Sequence, residues 1–524
     1  MKNHRIWDVR EFGAQGDGIA LDTAAVQTAI DDCSVCGGGV VHFPAGTYLI
    51  GTLRLRSNIT LDLAASAVLM GSARKQDYHG GSGFDCYMGS GFLLFGTNIE
   101  NFAITGQGTI DGSGPAFWLD EQINYIRNLG PIMKPKPYRP RALLYIIDGR
   151  NIRINDVTFH NSPTFTVWLM GCDVVNIDRI SIINAQYGPN TDGLDIDCCS
   201  DVRISDCFIS AGDDAIALKS DADCLGRRKA CENITVTNCT LSSRACGIRI
   251  GYEGDSPIKR CCFSNIVMRD TDIGVSIVSV LPDIPAACPG AVKTEYVKIK
   301  QGCQIEDIAF SNIIMENVNR PFHLWSGVEV LGEYLGYIRN ISFSDIIAHA
   351  NNAAYIGGLS DRPIESVIFS NFRLLVKGNM EGVERSTDPY HTGVWGGELI
   401  PLGIYLRNAR NIKLRDVEIC WEDDACGNWM SALRVDSCSD LDIDGFIGRQ
   451  YEADSDIPAV MLNDVDTAFI HGCRSLPGTG AFLGLSGSKT CNITVIGNDF
   501  HNAMQPIAMN GLPDDTVFLT ANRV

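Results

Sequence analysis

The chain has 524 residues, 45% apolar and 20% charged, enough to bury a large core, and carries a formal net charge of −19 from 43 basic and 62 acidic residues. Such an excess of negative charge opposes association with nucleic acid or an anionic membrane. No stretch approaches eighteen consecutive apolar residues, and the opening Met1-Lys-Asn-His-Arg-Ile-Trp-Asp8 has no apolar run of signal-peptide length, so a cytoplasmic protein is expected.

The bias towards glycine (53 residues), Val, Ile, Asn, Asp and Ser suits many short strands separated by turns. In chain order, Asp22-Thr23 is the predicted N-cap of a helix through Ala24–Cys33, ended by Gly37-Gly-Gly before a strand Val40–Phe43. An amphipathic helix there would cover the open end of a strand stack. Twenty cysteines diluted over this length read as reduced, buried small residues. Cys33 and Cys36 have redox or zinc spacing but no second pair nearby. No metal and no cofactor are expected.

From about residue 143 a pattern recurs: a polar turn, alternating apolar residues, another polar turn. Copies begin at Asn151, Asn176, Asp201 and Asn233, and continue through Phe263-Ser-Asn-Ile, Phe310-Ser-Asn-Ile, Phe343-Ser-Asp-Ile and Phe369-Ser-Asn-Phe. Anchors on the second strand fall at Val157, Ile180, Cys207, Cys239, Ile266, Ile313, Ile346, Phe372, Val417, Phe446, Cys473 and Asp499, with shortest steps of 23, 26 and 27 residues. Period-two alternation inside such a unit is what stacked coils of a β-solenoid require. Leucine-rich repeats would need leucines at fixed offsets and a helix in each repeat; propeller blades are longer.

The expectation is therefore an all-β chain forming a single right-handed parallel β-helix domain over 1–524, of about 12 or more coils with an N-terminal capping helix. Residues 1–60 would form the cap and first coils, 143–350 the catalytic coils and 400–524 the C-terminal coils. Excursions at 281–304 and 379–400 should be loops at coil edges, where grooves are shaped. A long solenoid leaves homo-oligomerisation open.

Chemistry concentrates in Asn190-Thr-Asp-Gly-Leu-Asp-Ile-Asp197 and Ala211-Gly-Asp-Asp-Ala-Ile-Ala-Leu-Lys219. Asp192 precedes Asp213 and Asp214 by 21 and 22 residues, close to one coil, which places the three on adjacent rungs about 4.8 Å apart. Carboxylates that close raise one another's pKa, making an acid and a base available at neutral pH; that is the equipment of a glycosidase. Singly, either motif reads as Asx-turns. Asp195 and Asp197 read as turn or support groups.

These residues resemble glycoside hydrolase family 28, the polygalacturonases and rhamnogalacturonases. The match runs through Phe12-Gly-Ala-Gln-Gly-Asp-Gly18, Asp22-Thr23, Phe43-Pro-Ala-Gly-Thr-Tyr48, Asn161-Ser-Pro163, Pro189-Asn-Thr-Asp-Gly193, Gly212-Asp-Asp214 and Lys219-Ser220. The first three are shared with other pectin-active β-helices; the last three are specific. The resemblance implies hydrolysis with inversion, with Asp213 as general acid and Asp192 with Asp214 activating water. It also implies that Lys219 lies near the catalytic centre.

The chain departs from the family pattern twice. The Gly-His-Gly of polygalacturonases is replaced by Ala245-Cys246-Gly247, and the Arg-Ile-Lys that binds a substrate carboxylate aligns with Ser276-Ile-Val278. Losing that clamp should weaken binding of a uronate at that subsite by about a kcal/mol or more. Arg249 is the candidate replacement, set against an ion pair with Glu253 or Asp255. Lys219, Arg249, Asn190 and Glu253 are candidate substrate contacts, with Tyr187 and Tyr252 as stacking platforms. Cys246 has no neighbouring histidine to activate it and reads as packing. Trp168, Trp325 and Trp395 are further exposed-aromatic possibilities.

The leading expectation is a hydrolase of pectin-derived oligosaccharides, exo-acting because a protein without an export signal meets short fragments and long loops can close a groove. A polysaccharide lyase or a non-catalytic glycan-binding β-helix are the alternatives.

Overall fold

The computed structural model describes residues 6–79, 91–124, 130–281, 301–328 and 333–524. The chain is a right-handed parallel β-helix whose strands pair in register from coil to coil. It divides into two compact units, one holding residues up to Cys262 and the other Phe263–Leu281 with Gly302–Val524.

In the first unit the alternating apolar residues form continuous columns. Val167, Leu194, Ile216 and Ile248 stand over one another on four successive coils, as do Leu169, Ile196, Leu218 and Ile250. All eight are fully buried. A second strand row stacks Ile154, Ile177, Ile204 and Val236, and a third Phe159, Ile182, Ile209 and Leu241. Polar turns between rows bend the chain through the left-handed region, which Asn and Asp tolerate best: Asn151, Asp201 and Asn233 have φ of 55°, 56° and 58°. Their side chains also stack, Asn151 donating to Asn101 at 2.8 Å and Asn101 to Asn58 at 2.8 Å.

One repeat copy is displaced from its expected start. Arg153 pairs with Asn176, so Asn176 lies inside its strand and the left-handed position falls on Val174, with φ 58°, a strained conformation for a β-branched residue.

The helix spans Thr23–Val35 and turns Val26, Ala29, Ile30 and Cys33 inward. The expected cap chemistry differs. Asp22 occupies the N-cap position without a side-chain cap bond, because its carboxylate accepts Gln15 N at 2.7 Å and Gly16 N at 3.0 Å. Gly37 ends the helix with φ +94°, and the next strand is Gly39–Phe43. All described cysteines are free thiols, most of them buried, including Cys33.

In the second unit the columns become aromatic. Phe310, Phe343 and Phe369 stack with centroids 4.9 and 4.8 Å apart, above Leu414. The anchors Ile313, Ile346, Phe372 and Val417 fall in one register. The last anchor is off by one: Glu418, Ile447, Arg474 and Asp499 are bridged, so Asn498, not Asp499, is equivalent to Cys473. Residues 379–400 leave the coil as expected, held by Arg320, whose guanidinium donates to the carbonyls of Gly396, Ala353 and Glu398 at 3.0, 2.6 and 2.6 Å. Most of 281–304 lies outside the described residues.

Candidate active site

The Thr191–Gly193 turn and the strand Leu194–Asp197 lie on one coil of the first unit, Gly212–Asp214 and the strand Ile216–Ser220 on the next, and Cys246–Gly254 on the one after. Small residues let the turns approach. A Cβ on Gly193 would lie 2.4 Å from the Ala215 carbonyl, and one on Gly212 2.4 Å from Thr191 Oγ1. Both glycines of the paired motifs are thus packing requirements.

The expected convergence is present: carboxylate oxygens of Asp192, Asp213 and Asp214 lie within 4.8 Å of one another. Among the described residues they form the one acidic group tight enough to ligate a cation. Their surroundings differ. Asp192 is buried, with Oδ1 lacking a hydrogen-bond partner, and its backbone carbonyl is fixed by Thr166 Oγ1 at 2.6 Å. Burial, then the Asp195 and Asp213 carboxylates, holds Asp192 well above the usual carboxylate range. Desolvation therefore leads and mutual repulsion follows. Asp214 is buried and accepts Cys246 N at 3.1 Å and Arg249 Nε at 3.3 Å. Asp213 is half-buried and opens to a depression lined by Gly130, Ile132, Gly188, Asn190, Gly212, Arg244 and Ala245.

The surrounding candidates sort into inner and outer groups. Arg249 stands opposite Ala217 on the preceding coil, and is 1% exposed. It lies 3.3 Å from Asp214, an acidic partner that the sequence did not suggest. The guanidinium is thus enclosed beside the Asp214 carboxylate. Lys219, 4% exposed, lies 2.9 Å from Asp195 and 3.5 Å from Glu253. Burial works against its charge, but Asp195, Glu253 and Asp192 outweigh it and hold the ammonium well above its ordinary pKa. Asp195 and Asp197 are support groups: burial pushes the first up to about 6 against the pull of Lys219, and the second, beside Asp221, up to about 7.

Asn190 adopts φ 54°, lines the depression and donates Nδ2 to Asp213 Oδ2 at 3.4 Å. Tyr187 is 48% exposed and packs edge-on to Trp118 at 6.1 Å, an accessible platform beside the turn. Tyr252, φ 72°, sits where the strand register slips between Leu218 and Ser220. Cys246 is buried and presents its backbone N–H to Asp214. Trp168 is 3% exposed, in a cluster with Tyr145 and Phe165 and under Arg141 at 4.2 Å; it is core, not an exposed platform. Ser276 and Val278, in the second unit, are fully buried and cationless.

Sequence reasoning missed the hairpin Trp118–Ile123 with Ile132–Pro135 and the arginines that tie it down. Met133 N donates to the Tyr187 carbonyl at 2.9 Å. Arg139 donates to the Pro189 carbonyl at 2.5 Å and to Asn190 Oδ1 at 2.7 Å. The basic run Lys134-Pro-Lys-Pro-Tyr-Arg-Pro-Arg141 in so acidic a chain was the available signal.

The model of "Glycosyl hydrolases family 28" matches residues 33–378. A probable polygalacturonase of Vitis vinifera is 29% identical over 383 residues, covering 69% of this chain and 72% of that protein. Solved structures share the fold. The hyperthermoactive exopolygalacturonase of Thermotoga maritima aligns with TM-score 0.58 and 23% identity over 71% of this chain and 87% of that one. The family 28 exopolygalacturonase of Yersinia enterocolitica aligns with TM-score 0.60 and 18% identity, over 84% and 78%.

Proposed function

The chain belongs to glycosyl hydrolase family 28 and is thereby a glycoside hydrolase; from that premise we propose that it cleaves O-glycosidic bonds in pectin-derived oligosaccharides, from a chain end. One observation carries the reading: Asp213 faces an open depression while Asp192 and Asp214 converge on it from within the coils.

In this mechanism Asp213, at the solvent side and held by Asn190, delivers its proton to the leaving oxygen. Asp214, held by Arg249 Nε and the Cys246 N–H, and Asp192, whose raised pKa makes it a stronger base once ionised, draw the proton from the attacking water. The Vitis relative's name, polygalacturonase, and those of the two exopolygalacturonase structures support a galacturonate-containing substrate. Exo action is supported by the hairpin, which brings Gly130 and Ile132 to the wall of the depression and is pinned to the Tyr187–Asn190 turn.

Inversion is the outcome that the family resemblance implies. Anomer-resolved NMR of digests of galacturonan, rhamnogalacturonan and neutral oligosaccharides tests the whole reading. Monomer release with an inverted first-formed anomer is expected. A retained anomer would reassign one aspartate as nucleophile, and a product absorbing near 235 nm would replace hydrolysis by elimination.

A further inference from the structure

We propose that Arg244 is the residue by which this chain recognises an acidic sugar, its guanidinium receiving the ring carboxylate in the depression beside Asp213. The inference rests on the hydrolase reading above and adds to it the charge of the ring bound there.

A polyanion approaching a chain of net charge −19 and a cluster of aspartates needs local positive charge. The buried cations of the site are engaged elsewhere: Lys219 with Asp195 and Glu253, Arg249 with Asp214, and Arg139 with the Pro189 carbonyl and Asn190. Arg244 is the one cationic side chain among the described residues lining the depression, where Asp213 also lies.

Its backbone is tied to the acid. Arg244 N donates to the Ala211 carbonyl at 3.3 Å. On either side of it, Ser243 Oγ donates to the Asp213 carbonyl at 2.5 Å and Ala245 N to Ser243 Oγ at 2.8 Å. The side chain is half-buried and donates to the Gly130 carbonyl, which aims it along the hairpin. A guanidinium carries five N–H donors in a planar fork, the geometry that receives a carboxylate bidentately. The positive charge absent from Ser276-Ile-Val278 is thus supplied from a coil corner adjoining the acid.

The test uses the full chain with Asp213→Asn to block turnover, titrated calorimetrically with trigalacturonate and with the neutral galactose trisaccharide. Adding Arg244→Gln should weaken trigalacturonate binding at least roughly ten-fold and leave the neutral sugar unchanged, with Arg244→Lys recovering part of the loss. Equal loss on both sugars, no loss on either, or no measurable trigalacturonate binding before the Arg244 change overturns the proposal. Hydrolysis by the unsubstituted chain is assayed in parallel. Absent turnover with the charge-selective affinity intact sinks the hydrolase reading and leaves the subsite, whereas turnover without charge selectivity sinks the subsite alone.

Discussion

Each unit carries a buried polar row, and the two rows are built on opposite principles. In the second unit, His323, Tyr355, Tyr405 and Arg434 follow one another in register on successive strands. There the charges close on one another: Tyr405 donates to Asp436 at 2.6 Å, Arg434 lies 3.0 Å from Asp436, and it also donates to the carbonyls of Ser386 and Thr387. In the first unit Lys219 and Arg249 face Asp192, Asp195, Asp197, Asp213, Asp214 and Glu253. Acids outnumber cations, and burial leaves several of them far above the usual carboxylate range. A closed network holds loops to coils; an unbalanced one stores protonation states for chemistry.

The largest effect expected from this contrast is at Asp213. Asp213→Asn should lower kcat/KM about 10³–10⁴-fold, roughly 4–5.5 kcal/mol, with Tm unmoved. Hydrolysis retained at the parent rate would return Asp213 to turn-making and move the proton donor elsewhere, whereas no hydrolysis by the parent chain itself would favour a non-catalytic, glycan-binding solenoid. The mirror experiment is Arg434→Ala, which strands the buried Asp436 and should cost about 3–5 kcal/mol of stability. Chemical denaturation reads that loss, and kcat of the remaining folded enzyme should stay put. A kcat that falls with Arg434 would mean the second row also serves the reaction.

The acid imbalance also fixes the sign of the pH dependence. Asp197 has its pKa pushed up to about 7 from an ordinary 3.8, so the folded chain binds that proton more tightly than the unfolded one. Its contribution to stability is full below about 4 and is lost as pH climbs to about 7. Between pH 5 and pH 7 the loss should be about 2–3 kcal/mol, seen as a falling Tm that Asp197→Asn flattens. A Tm that rises over this interval in the parent chain, with Asp197→Asn leaving the slope unaltered, would show that the carboxylate is stabilised in its ionised form.

The solenoid was legible because its period is written into local chemistry: left-handed turns select Asn and Asp, and inward positions select aliphatics. That rule slipped where the backbone overrode it, at Val174, and where two equivalent polar residues stood side by side, at Asn498 and Asp499. The aspartate trio was legible from coil spacing. The partners of Arg249 and Lys219 were not, since side-chain direction across coils depends on what stands opposite, here the small Ala217 beneath Arg249. Nor was the hairpin, whose contacts join residues as far apart as Arg139 and Asn190.

The finest test lies in that hairpin. Arg139 is not itself a lining residue of the depression; it grips the Pro189 carbonyl and Asn190 Oδ1, and Asn190, which does line it, in turn donates to Asp213. It is a positioning residue acting through Asn190. Arg139→Ala should free the Asn190 turn and misplace the acid, lowering kcat about ten-fold, or roughly 1.4 kcal/mol. Losing the aligned Asn190 donor should also raise the pKa governing the alkaline limb of the pH–rate profile, because a hydrogen bond to the carboxylate favours its ionised form. Arg139→Lys, keeping charge without the fork, should recover little. An unchanged alkaline limb with a reduced Tm would make Arg139 a purely structural clamp on the hairpin, whereas a shifted limb with Tm retained ties this distant arginine to the proton on Asp213.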